Sequence, residues 1–266
     1  MSPESRRSLA SLAPVLLDHV PRSRPATLAI AGAPGSGKST LARLLAFLLN
    51  ESGRPTVVLS LDDYYLGRQQ RALLARRHHP LLQQRGVPGT HHWQDLLRDL
   101  DTLRQGDAAA LRIPVFDKSS DEPAPAGQWR AVPSSPSCLL LEGWCLGSPA
   151  QPASALVQPV NETERVHDPQ GCWRGHVNEQ LARYRADLQA RVDGYWYLDV
   201  PGWQHVVDWR WRQEQELARP RLQSRDEVAD FLATFQRIAL HMQETSARWA
   251  DWRLRCDALH RLEAIT

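Results

Sequence analysis

The sequence predicts an α/β fold built around a bound nucleotide, on three observations. The stretch Gly32 to Thr40 reads GAPGSGKST and has the Gly, four residues, Gly, Lys, Ser pattern of a phosphate-binding loop. Its flanks are of the right kind: TLAIA (27–31) is a short apolar run that reads as a buried strand, and TLARLLAFLL (40–49) is apolar-rich and of helical length. Further short apolar or β-branched runs, TVVLSL (56–61), CLLL (138–141) and YWYLDV (195–200), read as strands with helical patterns between them.

A length of 266 residues suits one large α/β domain, or a core domain with a lid. The expected division is a helical preface at 1–26 and a phosphate-loop domain at 27–266, with a loop at 119–137 and a lid region at 203–221. The net charge of +2, from 32 basic and 30 acidic residues, gives no support to a nucleic-acid or membrane-surface partner. Cys138, Cys145, Cys172 and Cys256 lie scattered without metal spacing, which points to structural thiols in a reduced, cytoplasmic setting. No run approaches the roughly 18 apolar residues of a membrane span, and Pro14, Asp18 and His19 interrupt what a secretory signal would keep apolar, so a soluble chain is expected. The composition sets no oligomeric state. Lys38 and Lys118 are the only lysines among the 32 basic residues, which singles out Lys118 as a place where a flexible ammonium suits better than a guanidinium.

Taken in order, Ser8 to Val20 reads as a helix, followed by a Pro- and Arg-rich connector. In the phosphate loop, Gly32, Gly35 and Gly37 let backbone N–H groups turn inward, with Ala33, Pro34, Ser36 and Thr40 completing the cradle. Lys38 reaches the β and γ phosphates of ATP, and Ser39 supplies an oxygen to Mg²⁺. The following helix presents its N-terminus to the anion. The second strand ends in Asp62-Asp63-Tyr64-Tyr65. Ligands of open α/β sheets bind at the carboxyl ends of strands, so this carboxylate pair faces the phosphates, although either Asp could instead cap the next helix.

Residues 68 to 105 are rich in Arg and His. Arg85-Gly-Val-Pro-Gly-Thr-His-His92 is a punctuated loop in which Thr90 reads as the N-cap of the helix from Trp93. The loop reads first as structural, with Arg85, His91 and His92 as anion or hydroxyl contacts. LRIPVF (111–116) reads as a strand into Asp117-Lys118-Ser119, and the Pro-rich segment that follows as a loop. CLLL ends in Glu142, a Walker B position that would hold Mg²⁺ directly or through water; the alternative is a rim carboxylate. His176 to Val192 reads as an amphipathic helix. Trp209-Arg210-Trp211-Arg212-Gln213-Glu214, with arginines at 219 and 221, reads by itself as a solvated helix face. Beside a phosphate loop it reads as a lid, with Arg210 and Arg212 as the cations that offset charge on a migrating phosphoryl group. Asp226 to Glu244 is a further amphipathic helix, and Trp249 to Leu254 and Leu262 to Ile265 read as closing strands.

In that order and at those separations, GAPGSGKST, SLDDYY, HPLLQQRGVPGTHH, IPVFDKS, LLLEGWCLG, VNEQLARY and DWRWRQE resemble the D-glycerate 3-kinase family of plants, fungi and bacterial relatives, over roughly residues 27 to 260. That family sits in the phosphoribulokinase, uridine kinase and pantothenate kinase group of P-loop kinases. The resemblance implies a three-layer P-loop NTPase fold with a mostly parallel sheet and a helical lid, Mg-ATP, and phosphorylation of a hydroxyl on a small metabolite, glycerate first. It implies Asp62 as base with Asp63 its neighbour, and its RGxPGTHD loop matches Arg85 to His91; with Lys118 read as a further cation at the transfer, the expected acceptor site is Asp62, Tyr65, Arg85, Thr90, His91 and Lys118. His92 stands where the family's RGxPGTHD loop has Asp, and DEPAPAGQWR replaces a Gly- and Arg-rich insert. Both departures bear on the acceptor, and leave open a pantothenate-, nucleoside- or sugar-like alcohol. A slowly hydrolysing nucleotide-binding regulator is the rival of another class; the chain has no Asn-Lys-x-Asp of a GTPase.

Overall fold

The computed structural model describes residues 12–22, 25–132, 135–216, 220 and 222–265. Residues 12–18 form α1; the expected helix from Ser8 begins outside the described residues. β1 (Ala26–Gly32) runs through the phosphate loop into α2 (Lys38–Glu51), and β2 (Thr56–Ser60) follows. A 3-10 turn (Leu61–Tyr64), α3 (Arg68–Arg77), a second 3-10 turn (Pro80–Gln83) and α4 (Trp93–Arg104) come next. The short strands β3 (Arg112–Ile113), β4 (Phe116–Asp117), β5 (Glu122–Pro123) and β6 (Arg130–Ala131) precede β7 (Cys138–Glu142). The chain continues through α5 (Glu162–His167), α6 (Cys172–Gln189), β8 (Gly194–Asp199), α7 (Trp203–Gln215), α8 (Arg225–Thr245), β9 (Trp252–Cys256) and β10 (Leu262–Ile265).

The main sheet has six strands in the order β10-β9-β8-β1-β7-β2, parallel throughout except for the antiparallel edge pair β9–β10. β1 lies between strands reached by crossovers in opposite directions, and such a switch point opens a crevice at the carboxyl ends of the strands. Period-two alternation sorts the apolar side chains into two layers. Leu28, Ile30, Cys138, Leu140, Trp196 and Leu198 face α1 and α2, where Leu41, Leu45 and Leu49 close one core. Ala29, Ala31, Leu59, Leu139, Leu141 and Tyr197 face the opposite way, against side chains of α4, α6, α7 and α8. Both faces are covered, as a parallel sheet requires, and the result is the three-layer α/β architecture.

Two expectations are corrected. LRIPVF is not one strand of the main sheet: Pro114 and Val115 interrupt it, and its two ends pair separately, β3 with β6 and β4 with β5. The segment from 119 is therefore not simply a loop, since its first part returns as a hairpin on β4, with Lys118 to Asp121 as its turn. Among the described residues no helix is long and apolar enough to cross a membrane, and Cys138, Cys145, Cys172 and Cys256 are all free thiols.

Candidate active site

The phosphate loop takes its shape from glycine. Gly35 and Gly37 have φ of 76° and 97°, which side-chain-bearing residues adopt only with strain. At Gly32, with φ of 149°, a Cβ would also stand 2.8 Å from the carbonyl oxygen of Leu198 in β8, so the loop can leave the sheet here only on glycine. Lys38, the first residue of α2, is buried and donates from Nζ to the Ala33 carbonyl 2.9 Å away across the loop. Burial pulls the Lys38 ammonium below its ordinary pKa, against the opposing pull of Glu142 and Asp62. Ser36 Oγ is buried and has no hydrogen-bond partner among the described residues, as expected for a hydroxyl turned toward an anion cradle.

Parallel pairing sets the acidic side of the site. Glu142 ends β7 in register with Ile30 of β1 and Ser60 of β2, so its carboxylate emerges next to the loop. Glu142 Oε1 accepts from Ser39 Oγ at 2.9 Å and from Ser60 Oγ at 2.7 Å. The 3-10 turn after β2 then divides the two aspartates. Asp62 accepts at Oδ2 from Lys118 Nζ and at Oδ1 from the Tyr65 hydroxyl, both at 2.7 Å. Burial raises the Asp62 carboxyl, but the Lys118 ammonium, the Tyr65 hydroxyl and Lys38 together more than offset it and hold it below its ordinary pKa. Asp63 turns elsewhere: its Oδ1 accepts from the Phe116 amide at 3.3 Å and its Oδ2 lies 3.6 Å from Arg130, and burial raises its carboxyl. The structure therefore brings Asp62 to Lys38 and Lys118 and uses Asp63 to anchor β4.

The Arg85–His92 loop closes the far side. Arg85 pairs through Nη1 with Asp121, and its guanidinium lies 6.0 Å from the Tyr65 ring centre and 5.4 Å from that of Phe116. The side chain of Tyr65 thus touches Asp62 at one end and underlies Arg85 along its ring. His91 is 5% exposed, stacks on Tyr65 at 4.9 Å and shares a hydrogen bond with the Tyr184 hydroxyl at 3.0 Å through Nδ1, while Nε2 has no partner among the described residues. Burial pulls the His91 imidazole down to about 3, so the ring is neutral at working pH. Thr90 corrects an expectation: the residue before α4 is His92, and the fully buried Thr90 hydroxyl accepts from Gly86 N at 3.0 Å and donates to Val87 O at 2.7 Å. It braces its own loop, neither capping the helix nor facing outward.

α7 packs directly on the phosphate loop. A Cβ at Gly35 would lie 3.7 Å from Cβ of Trp209 and 4.0 Å from the backbone nitrogen of Arg210. Arg210 is paired with Glu214 one turn on, at 2.5 Å, and Arg212 is exposed. Arg219 and Arg221 lie outside the described residues. His260, in the β9–β10 turn, reaches the same place: its Nε2 lies 3.0 Å from Gly35 O and its ring 3.8 Å from that of Trp209.

Known proteins resemble this chain in sequence and in fold. The zeta toxin family model matches residues 14–98, the segment that holds the phosphate loop and the Asp62 turn. An uncharacterized kinase of Schizosaccharomyces pombe is 33% identical over 225 residues, which cover 80% of this chain and 79% of that protein. The chain belongs to this family of P-loop kinases. The chloroplastic D-glycerate 3-kinase of Arabidopsis thaliana is 26% identical over 82% of the chain, and the match spans about half of the plant enzyme, 47% of its length. The fold matches that of a D-glycerate 3-kinase from Cryptococcus neoformans over 100% of both chains, at a TM-score of 0.74 and 19% identity. These relatives support kinase activity on a small molecule.

Three residues of the candidate site carry no signal in the sequence patterns. Ser60 is one hydroxyl in an apolar strand, and only the register of β2 with β7 places it on Glu142. Asp121 lies in the segment read as loop, and His260 comes from the far end of the chain. A non-glycine residue with positive φ marks both, 60° at Asp121 and 56° at His260, but that is a property of the folded backbone.

Proposed function

We propose that this kinase transfers the γ-phosphoryl group of ATP to a hydroxyl of a small hydroxy acid, with D-glycerate as the first acceptor to test. The observation that carries the reading is the Asp62 carboxylate: kept ionised, it stands at the carboxyl end of β2 between Lys118 and Tyr65, beside the buried Lys38 of the phosphate loop. Loop amides from Gly32 to Thr40 and Lys38 hold the phosphates. Asp62 orients the acceptor hydroxyl and takes its proton, and Lys118 and Arg210 offset charge on the transferring group. Packed on the phosphate loop, α7 acts as the lid that excludes water, with Arg212 at its outer side.

The hydroxyl of Ser39 and the carboxylate of Glu142 form a donor set of hard oxygens that fits Mg²⁺, with few protein ligands and the rest of the shell left to phosphate and water. When bound there, the ion neutralises charge on the phosphate oxygens. The acid acceptor follows from charge: a carboxylate beside a triphosphate needs a cation beyond Lys38, and Arg85 lies across the Tyr65 ring from Asp62. Free thiols and the absence of membrane helices among the described residues support a cytoplasmic setting.

A second reading is another small alcohol, pantothenate-, nucleoside- or sugar-like; its neutral members draw on the pairing of Arg85 with Asp121, which already satisfies part of that cation. A coupled ADP-release screen with Mg-ATP decides between them. Turnover with a glycerate enantiomer, together with an Arg85→Ala variant whose KM rises more for glycerate than for ATP, supports the acid acceptor. Turnover with a neutral alcohol alone overturns it.

A further inference from the structure

The β4–β5 hairpin brings an anion to the cation that the acid acceptor needs. Asp121, in its turn, divides one carboxylate between two arginines: Oδ1 accepts from Arg85 Nη1, and Oδ2 from Arg71 Nη2 at 2.8 Å. The two arginines are not equivalent. Arg71 is 2% exposed and committed through both Nη atoms, since it also donates to the carbonyls of Gln83 at 3.2 Å and of Asp121 itself at 3.3 Å, while its buried Nε has no partner among the described residues. Arg85 donates to Asp121 through Nη1, while its Nε and Nη2 have no hydrogen-bond acceptor among the described residues. Its guanidinium rests on the Tyr65 and Phe116 rings. Asp121 can therefore release Arg85 and keep a full ionic partner in Arg71.

We propose that Asp121 is an internal competitor for the acceptor's carboxylate: it occupies Arg85 until a hydroxy acid takes its place, and so sets the affinity for acidic acceptors. The proposal rests on the acid-acceptor reading above. A guanidinium 14% exposed is unfavourable without an anion, and the hairpin supplies one before the acceptor arrives. An entering carboxylate exchanges one charge-assisted pair on Arg85 for another, so its net gain is smaller than for an unoccupied guanidinium. A neutral alcohol has no such exchange to make and binds with Asp121 in place. The same turn carries Lys118 on Asp62, so one hairpin touches both the base and the acceptor's cation.

The test is Asp121→Asn, whose amide oxygen still serves Arg71 and which tolerates the φ of 60°. Relative to the wild type, KM for D-glycerate is expected to fall about tenfold, the size of one charge-assisted contact released from competition, while KM for glycerol stays put. In an Arg85→Ala background the same substitution is expected to change KM for D-glycerate less than about twofold, because the contested cation is gone. Thermal shift with D-glycerate alone gives the same order without turnover. Asp121→Gly, which suits the left-handed backbone, is the second variant and moves in the same direction. A KM for D-glycerate that rises or stays constant in the single variants, or that falls equally in the Arg85→Ala background, overturns the proposal. Wild-type protein that neither melts higher with D-glycerate nor turns it over overturns the acid-acceptor reading, and this proposal with it. If the wild type binds D-glycerate and the variants bind it no more tightly, this proposal alone is overturned.

Discussion

Asp62→Asn separates chemistry from packing at the proposed base. The substitution keeps an oxygen for the Tyr65 hydroxyl, which is 2.7 Å from Oδ1, so that buried donor stays satisfied. It loses the ion pair with Lys118, whose side chain is 60% exposed; solvent screening limits that loss to below about 1 kcal/mol. The fold should therefore survive with a small drop in melting temperature. Turnover should not: a positioned general base contributes about 10² to 10⁴, and an amide cannot take the proton. Asp62→Ala is the contrast, because it also strands the Tyr65 hydroxyl in a buried site, at about 1–3 kcal/mol. The assay is coupled ADP release at saturating Mg-ATP, beside nucleotide affinity and thermal melts for both variants. The sign of the pH dependence is fixed as well. With its carboxyl held below the ordinary range, Asp62 stays ionised through neutral pH, so the acid limb of kcat/KM should lie below the ordinary carboxylate value. A loss of less than tenfold in Asp62→Asn would refute the assignment.

Lys38→Ala should abolish transfer and strongly weaken Mg-ATP binding with the fold intact, because Lys38 is the cation of the phosphate loop and donates to Ala33 O within that loop; unchanged turnover sinks the kinase mechanism given above. His91 links stability to pH. Its folded pKa of about 3 lies below the ordinary 6.5, so the unfolded chain binds the extra proton and stability falls as pH drops from 6.5 toward 3. Between pH 7 and pH 5 this one ring contributes about 2 kcal/mol of loss. Urea melts of wild type and His91→Asn at the two pH values measure it, and equal slopes count against a buried neutral ring.

The local code of this chain was enough to locate the phosphate loop, the strands that lead to Asp62 and Glu142, and the helices between them. Backbone freedom at Gly35 and Gly37, apolar runs of strand length and a carboxylate at a strand tip are properties of neighbouring residues, and they read the same before folding and after it. What the tertiary structure decided is which of two adjacent identical residues does what. Asp62 and Asp63 differ by one step along a 3-10 turn, yet that step sends one carboxylate to Lys118 and the other to the amide of Phe116. Thr90, which has the look of a helix cap, closes its own loop once Gly86 and Val87 come within reach of its hydroxyl. Ser60 on Glu142, Asp121 between Arg71 and Arg85, and His260 against Gly35 depend on strand register, on a hairpin and on a turn 225 residues away in the chain. Pairings of that kind have no local signature, because the free energy that selects them comes from burial and charge in the assembled fold.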